Sequence, residues 1–325
     1  MTFVIRSLAI VVASIAALVP YGAAAQNYPT RPIRVIVPFA PGGGTDTAMR
    51  ALAAVLSEGL GQPVVVDNRP GAGANLGAEL AARAEADGYT LFAIADPHTV
   101  NPFLYPKLTY DVVKDFAPVT MVARSPYVLV AHPSLPAKNL QELVAYAKQN
   151  PDKLAYAHAG NGTAAHLTGE MLKLEAGIRM SPVAYKGGGA AVTDVVGGHV
   201  PLGVLALAAP MQHIKAGTLK ALAVTSPRRI DQLPDVPTFA EAGFGNIQTF
   251  QWVGLEAPAN TPAPIVAKLH AEVVKAARHK TVVDKLAASG LEVSTSATPD
   301  EFGKFIRDDI QRWPPVIKAS GAKLD

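Results

Sequence analysis

Cysteine is absent from this 325-residue chain. That absence excludes disulfides, thiol nucleophiles, thiolate metal sites and a lipid-modified cysteine as a membrane tether. Charge is sparse too: 17% of residues are Asp, Glu, Lys or Arg, and the balance is only +3. The basic residues form no block and no zinc or RNA-binding signature accompanies them, so nucleic acid is a poor partner. Long apolar runs are missing beyond the first 25 residues. The best, "VPLGVLALAAPM", is short and flanked by prolines, whereas a bilayer span needs about 20 residues. Catalytic signatures are missing as well: there is no G-x-S-x-G elbow and no H-E-x-x-H. His158 and His166 stand eight apart on different elements, which is no metal-ligand spacing.

What is present begins with a leader. "MTFVIR" carries one positive charge at Arg6, "LAIVVASIAALV" is apolar, and Ala23-Ala24-Ala25 closes the segment. This order predicts a secretory signal peptide over residues 1–25, cut after Ala25, and export to the periplasm. The remainder is rich enough in apolar residues, 49% over the whole chain, for one large or two medium globular domains.

Strand and helix patterns then alternate. "IRVIVPF" reads as a buried strand, and "TDTAMRALAAVLSEGLG" as a helix with Ala48, Leu52, Val55 and Leu56 on one face. "PVVVDN" is a second strand, "NLGAELAARAEADG" a second helix and "YTLFAIA" a third strand. Another round starts at "YVLVAHP" and continues through a helix over 139–151, "LAYAHAG", a helix over 163–177, "SPVAY", "GAAVTDVVGG", "VPLGVLAL" and "LKALAVTS". This rhythm predicts an α/β architecture of parallel sheets with covering helices.

Glycine collects where strands hand over to helices: "FAPGGGTD", "NRPGAGANLG", "HAGNGTAAH" and "AYKGGGAAV". In open parallel sheets these turns lie at the carboxyl ends of strands, where ligands bind. Glycine lets main-chain N–H groups approach a ligand, and helix starts add unpaired donors of partial positive charge. The pattern predicts a small-anion site that needs no arginine. "PGGGTD" lacks the Lys-Ser/Thr of a P-loop, and "GAGANLG" has Leu76 where a dinucleotide fingerprint needs glycine, so the nucleotide reading is weak. Asp46 suits a helix-dipole partner paired with Arg50 at i+4 better than a general base. His166 suits ligand donation or partial solvation, and Lys186 a direct cation or a surface lysine.

Longer stretches carry a resemblance. "RPIRVIVPFAPGGGTDTAMR", "VVVDNRPGAGANLGAELAARAEADGYTL", "GNGTAAHLTGEMLK", "YKGGGAAVTDVVGGHV", "AGTLKALAVTSPRRIDQLPDVPTFAEAG" and "FQWVGLEAPANTPAPIVAKLHAEVVKA" resemble the Bug family. These are TctC-like extracytoplasmic solute-binding proteins of tripartite tricarboxylate transporters. The likeness runs from Tyr28 to the C-terminus, including "WPPVIKASGAKL". It implies a two-lobed periplasmic-binding-protein-like fold of type II, each lobe a mainly parallel sheet with flanking helices. Lobe one is expected over 26–125 plus 254–325 and lobe two over 126–253, with crossings near Ser125–Tyr127 and Trp252–Gly254.

The resemblance also implies a monomeric binding protein and not an enzyme, without cofactor or metal. It would hold a small carboxylic acid between the lobes and pass it to membrane permease subunits. A periplasmic sensor feeding a membrane kinase is the alternative. The carried-over site is Phe39, Gly42, Gly43, Gly44 and Thr45 from lobe one, with Gly160, Asn161, Gly162, Thr163, His166, Tyr185, Lys186 and Gly187 from lobe two. "IADPHTVNP" is expected to line the cleft, with Asp96 and His98 near the ligand's far end. Family members often have polar residues where Ala206, Leu207, Ala208 and Ala209 stand here. That apolar wall argues against citrate and for a monocarboxylate or an acid with an apolar body.

Overall fold

The computed structural model describes residues 27–42, 44–185 and 187–320. The leader at residues 1–25, Gly43 and Lys186 lie outside the described residues. Strand β1 (Ile33–Val37) is buried at every position but Arg34, as a strand covered on both faces must be. Helix α1 (Gly44–Leu60) follows and buries Ala48, Met49, Leu52 and Leu56. After β2 (Val64–Asn68) comes α2 (Asn75–Ala82). This helix is shorter than its sequence pattern predicts. Ala84–Gly88 form a turn instead, where Asp87 accepts from the Tyr89 N–H and from Arg31. β3 (Thr90–Ala95) and α3 (Pro97–Leu104) complete the first run.

The central strand is β4 (Phe116–Ala131), 16 residues long. Only its second part, from Tyr127, reads as a strand in the sequence, because Pro118, Arg124 and Pro126 interrupt the apolar run. Pro118 sits at a register shift, where a missing N–H is tolerated. Beyond it the order is α4 (Leu140–Gln149), β5 (Ala155–His158), α5 (Ala164–Ala176), β6 (Ser181–Ala184), α6 (Gly188–Val196) and β7 (Leu202–Ala206). A short α7 (Met211–Lys215), β8 (Lys220–Val224) and β9 (Phe250–Pro258) follow. The chain ends through α8 (Ala263–Ala277), α9 (Lys280–Ala288), the two-residue β10 (Glu292–Val293) and α10 (Pro299–Ser320).

β1 pairs in parallel with β2 and β3, and β5 in parallel with β6 and β7. The sheets are mixed, however, because β9 runs antiparallel to β3 and to β4, while β4 runs antiparallel to β7 and β8. β4 serves both halves: it pairs with β9 up to Pro126 and with β7 from Tyr127 onward. Each half has its own buried clusters. Ile33, Leu52, Leu91 and Val253 form part of one, and Leu129, Tyr156, Leu167 and Leu202 part of another. Two helices contribute to both halves. α3 sends Val100 and Leu104 into the second half's core, and α10 packs Phe302 and Ile306 in the first but Trp313 and Val316 in the second. Among the described residues no helix is long and apolar enough to cross a membrane.

Candidate functional site

The β1–α1 turn is held from behind by Asp46. Its buried carboxylate accepts from the Gly42 N–H at 2.9 Å, from Arg50 Nε at 3.0 Å and from Asn68 Nδ2 at 2.8 Å. Asn68 also holds the Phe39 carbonyl at 3.0 Å. Burial alone would raise the Asp46 pKa, but the hydrogen bonds from Arg50, Gly42 and Asn68 outweigh it and keep the group below the usual carboxylate range. Asp46 is thus a positioning anion paired with Arg50. It takes the Gly42 amide, and further donors lie in the first turn of α1. Gly44 and Thr45 head that helix, and amides there have no carbonyl one turn back.

The β5–α5 turn is more self-contained than its glycines suggest. The Gly160 N–H meets His158 Nδ1 at 3.3 Å and the Gly162 N–H meets His166 Nδ1 at 3.2 Å. Thr163 caps α5, accepting from the His166 N–H and donating its hydroxyl to the Gly160 carbonyl. Asn161 is exposed. The two imidazoles stack with centroids 4.5 Å apart. Burial depresses the pKa of each to about 4, helped by the neighbouring His166 for His158 and by Lys173 for His166. Both rings are neutral near pH 7, so neither supplies a cation to an acid.

Asp96 fills the start of α5. Its Oδ2 accepts from the Ala164 N–H at 3.0 Å and lies 3.5 Å from the Tyr127 hydroxyl, which in turn takes the Ala165 N–H. Burial, with the nearby Asp309, raises its pKa to about 6. Thr99 ties the two acids together, bonding the Asp96 carbonyl and Asp309 Oδ2. The structure therefore gives Asp96 to the protein's own helix.

His98 is also turned inward. It is buried against Tyr110, Phe92 and Phe116. Burial lowers its pKa to about 3, while a bond to the Val112 carbonyl works the other way. Its Nε2 faces Glu256 Oε2 at 3.6 Å, and burial pushes that carboxyl well above the usual range. The contact belongs to the core of the first half, so the structure does not bring His98 to the cleft.

The third glycine turn leads into α6. The Tyr185 N–H bonds the His158 carbonyl, its hydroxyl bonds Asp194, and the Gly187 N–H bonds the Ala159 carbonyl. Gly188 and Gly189 open the helix. They belong to the quoted "KGGGA" run but lie just past the residues carried over from the resemblance. A side-chain carbon on Gly188 would be 3.6 Å from the Ala209 methyl, and one on Gly44 would be 3.4 Å from Gln251 Nε2 and 4.0 Å from Leu291. Gly290, adjacent to Leu291, abuts the Ala208 backbone so closely that no side chain fits. The start of α1 thus lies beside Gln251 and Leu291 and the start of α6 beside Ala209, and the Gly290–Ala208 contact links these two neighbourhoods. Gln251 carried no sequence signal, being one polar residue in a strand. Among the described residues no cluster of His, Asp and Glu could hold a metal.

Two α/β halves joined by β4 and β9, each with a glycine-led helix start after a parallel strand, define a periplasmic-binding-protein-like fold. The sequence pattern described as "Tripartite tricarboxylate transporter family receptor" matches residues 48–322. Protein BugT of Bordetella pertussis (strain Tohama I) is 42% identical over 302 residues, covering 92% of each chain. The R. palustris protein Rpa4515, solved with adipate, is 36% identical with a TM-score of 0.81, covering 91% of this chain and all of that one. MatC from Rhodopseudomonas palustris, solved with bound malate, is 35% identical with a TM-score of 0.77, covering 89% of this chain and all of that one. The chain belongs to the tripartite tricarboxylate transporter receptor family.

Proposed function

We propose that this protein captures a small carboxylic acid between its halves, outside the cytoplasm, and delivers it to the permease subunits of a tripartite tricarboxylate transporter. The observation that supports the reading is the pair of helix starts, Gly44–Thr45 on α1 and Gly188–Gly189 on α6, one in each half and linked through Leu291, Gly290, Ala208 and Ala209. A carboxylate placed there completes amides that have no intrahelical partner and meets the positive end of two helices. Only the closed arrangement lets both starts meet one acid group, so the acid favours closure by its higher affinity for that state. Carboxylates bound by the two R. palustris relatives support the ligand class. The apolar residues Ala206–Ala209 favour a monocarboxylate or an acid with an apolar body over citrate.

A thermal-shift screen across mono-, di- and tricarboxylates tests the ligand, since binding to the native state alone raises Tm. The expected outcome is a larger rise with apolar-bodied acids than with citrate; a largest rise with citrate would overturn the apolar-wall argument. Loss of uptake of the identified acid on deletion of the gene tests delivery. Unchanged uptake would sink the transport role.

A further inference from the structure

A second groove, of about 210 Å³, lies beside the strands that join the halves. Strand register sets it on the face away from the cleft. Gln251 turns toward Gly44, so its neighbour Phe250 and the directly opposed Pro126 turn the other way, together with Arg124 and its partner Trp252. The groove is lined by Arg124, Pro126 and Phe250, by Glu292 of β10, and by the segment 226–232 that follows β8.

Neither the Arg124 guanidinium nor the Ser226 hydroxyl makes a hydrogen bond or ion pair within the described fold. Arg124 is half-buried with its guanidinium 5.2 Å above the Phe250 ring. Glu292 is its register partner, yet the two form no ion pair, and no other carboxylate among the described residues pairs with Arg124. The Ser226 hydroxyl is buried without a hydrogen-bond partner, a costly arrangement for a polar group. A guanidinium stacked by one face on an aromatic ring keeps its N–H edge free for the two oxygens of a carboxylate. Phe250, Pro126, Pro227 and Ile230 supply an apolar lining; among its charged residues Arg228 and Arg229 stand beside Glu292 and Asp231, with Arg229 paired to Glu241.

We propose that this groove is a second binding site, for a carboxylic acid with a flat or apolar body, anchored by Arg124. Arg124 sits in the sheet of the first half, and Ser226 follows the last strand of the second. An occupant touches both halves, so it alters cleft affinity, and by reciprocity the cleft ligand alters affinity here. The groove stands whatever the cleft binds.

Benzoate is the probe, titrated calorimetrically into the full-length mature chain. Ala209→Trp narrows the cleft, so cleft binding and groove binding separate. Ala209→Trp is expected to retain a benzoate site that Arg124→Gln, added to it, weakens at least tenfold. Either no benzoate binding by Ala209→Trp or equal binding with and without Arg124→Gln overturns the proposal. Should Ala209→Trp not fold, a wild-type crystal soaked in benzoate decides: benzoate on Arg124 supports the site, and an empty groove refutes it.

Discussion

Asp96 Oδ2 accepts the Ala164 N–H at 3.0 Å, a bond between residues 68 apart in sequence that joins the end of β3 to the first turn of α5. The helix start most suggestive of anion binding already has an anion, and the protein supplies it. Tyr127 completes the arrangement from the strand shared by both halves.

Asp96→Ala leaves the Ala164 amide buried and unpaired, which costs about 1–3 kcal/mol. Asp96→Asn keeps a carbonyl acceptor and is expected to lose less. Urea unfolding of the three proteins measures this; an unaltered midpoint for the alanine variant would show that the contact contributes nothing.

Protonation gives two opposed pH signatures. His166 has a folded pKa of about 4 against about 6.5 unfolded, so below pH 6.5 the unfolded chain takes up a proton that the folded one refuses. Wild type should therefore lose stability relative to His166→Gln as pH falls from about 6.5 to about 4. Asp96 behaves inversely. Its folded pKa of about 6 lies above the unfolded value, so the folded chain takes the proton first. Wild type should gain stability relative to Asp96→Asn between about pH 6 and pH 4. Paired melting curves across that range check both slopes, and a reversed sign in either would contradict the burial of that group.

Glycine substitutions separate ligand contact from backbone need. Valine at Gly44 has room beside Gln251 and is expected to weaken acid binding at least tenfold with little change in Tm. Valine at Gly162 overlaps a Leu104 methyl and forces a side chain onto φ of +76°. It should destabilise the fold by roughly 1–3 kcal/mol. Calorimetry with the acid found by screening, alongside thermal melts, distinguishes the two; full binding by the Gly44 variant would remove α1 from the site.

Asp46→Ala frees Gly42, Arg50 and Asn68 at once. Loss of these charge-assisted bonds should cost about 2–3 kcal/mol and weaken acid binding by loosening the turn. Undiminished affinity would mean the turn holds its shape unaided.

The legible parts of this fold are the local ones. β1, α1 and the glycine turns announce themselves through residues adjacent in sequence, and Asp46 with Arg50 is a one-turn relationship. The first part of β4 is not local. Its prolines hide it, and it is a strand because β9, more than a hundred residues later, pairs with it. The same holds for the site. "GNGT" looks like an open donor set until Asp96 is folded against it, and His98 looks available until Tyr110, Phe116 and Glu256 close around it. Pattern locates amides; tertiary packing decides which are already taken.

Helix α10 has one end set among the aromatic side chains of the first half, while its other end buries its own Trp313 in the second. Near that second anchor stand Pro314 and Pro315, which offer no N–H to the preceding turn. Whatever separates the halves must flex this rod at its weakest joint or twist about its length.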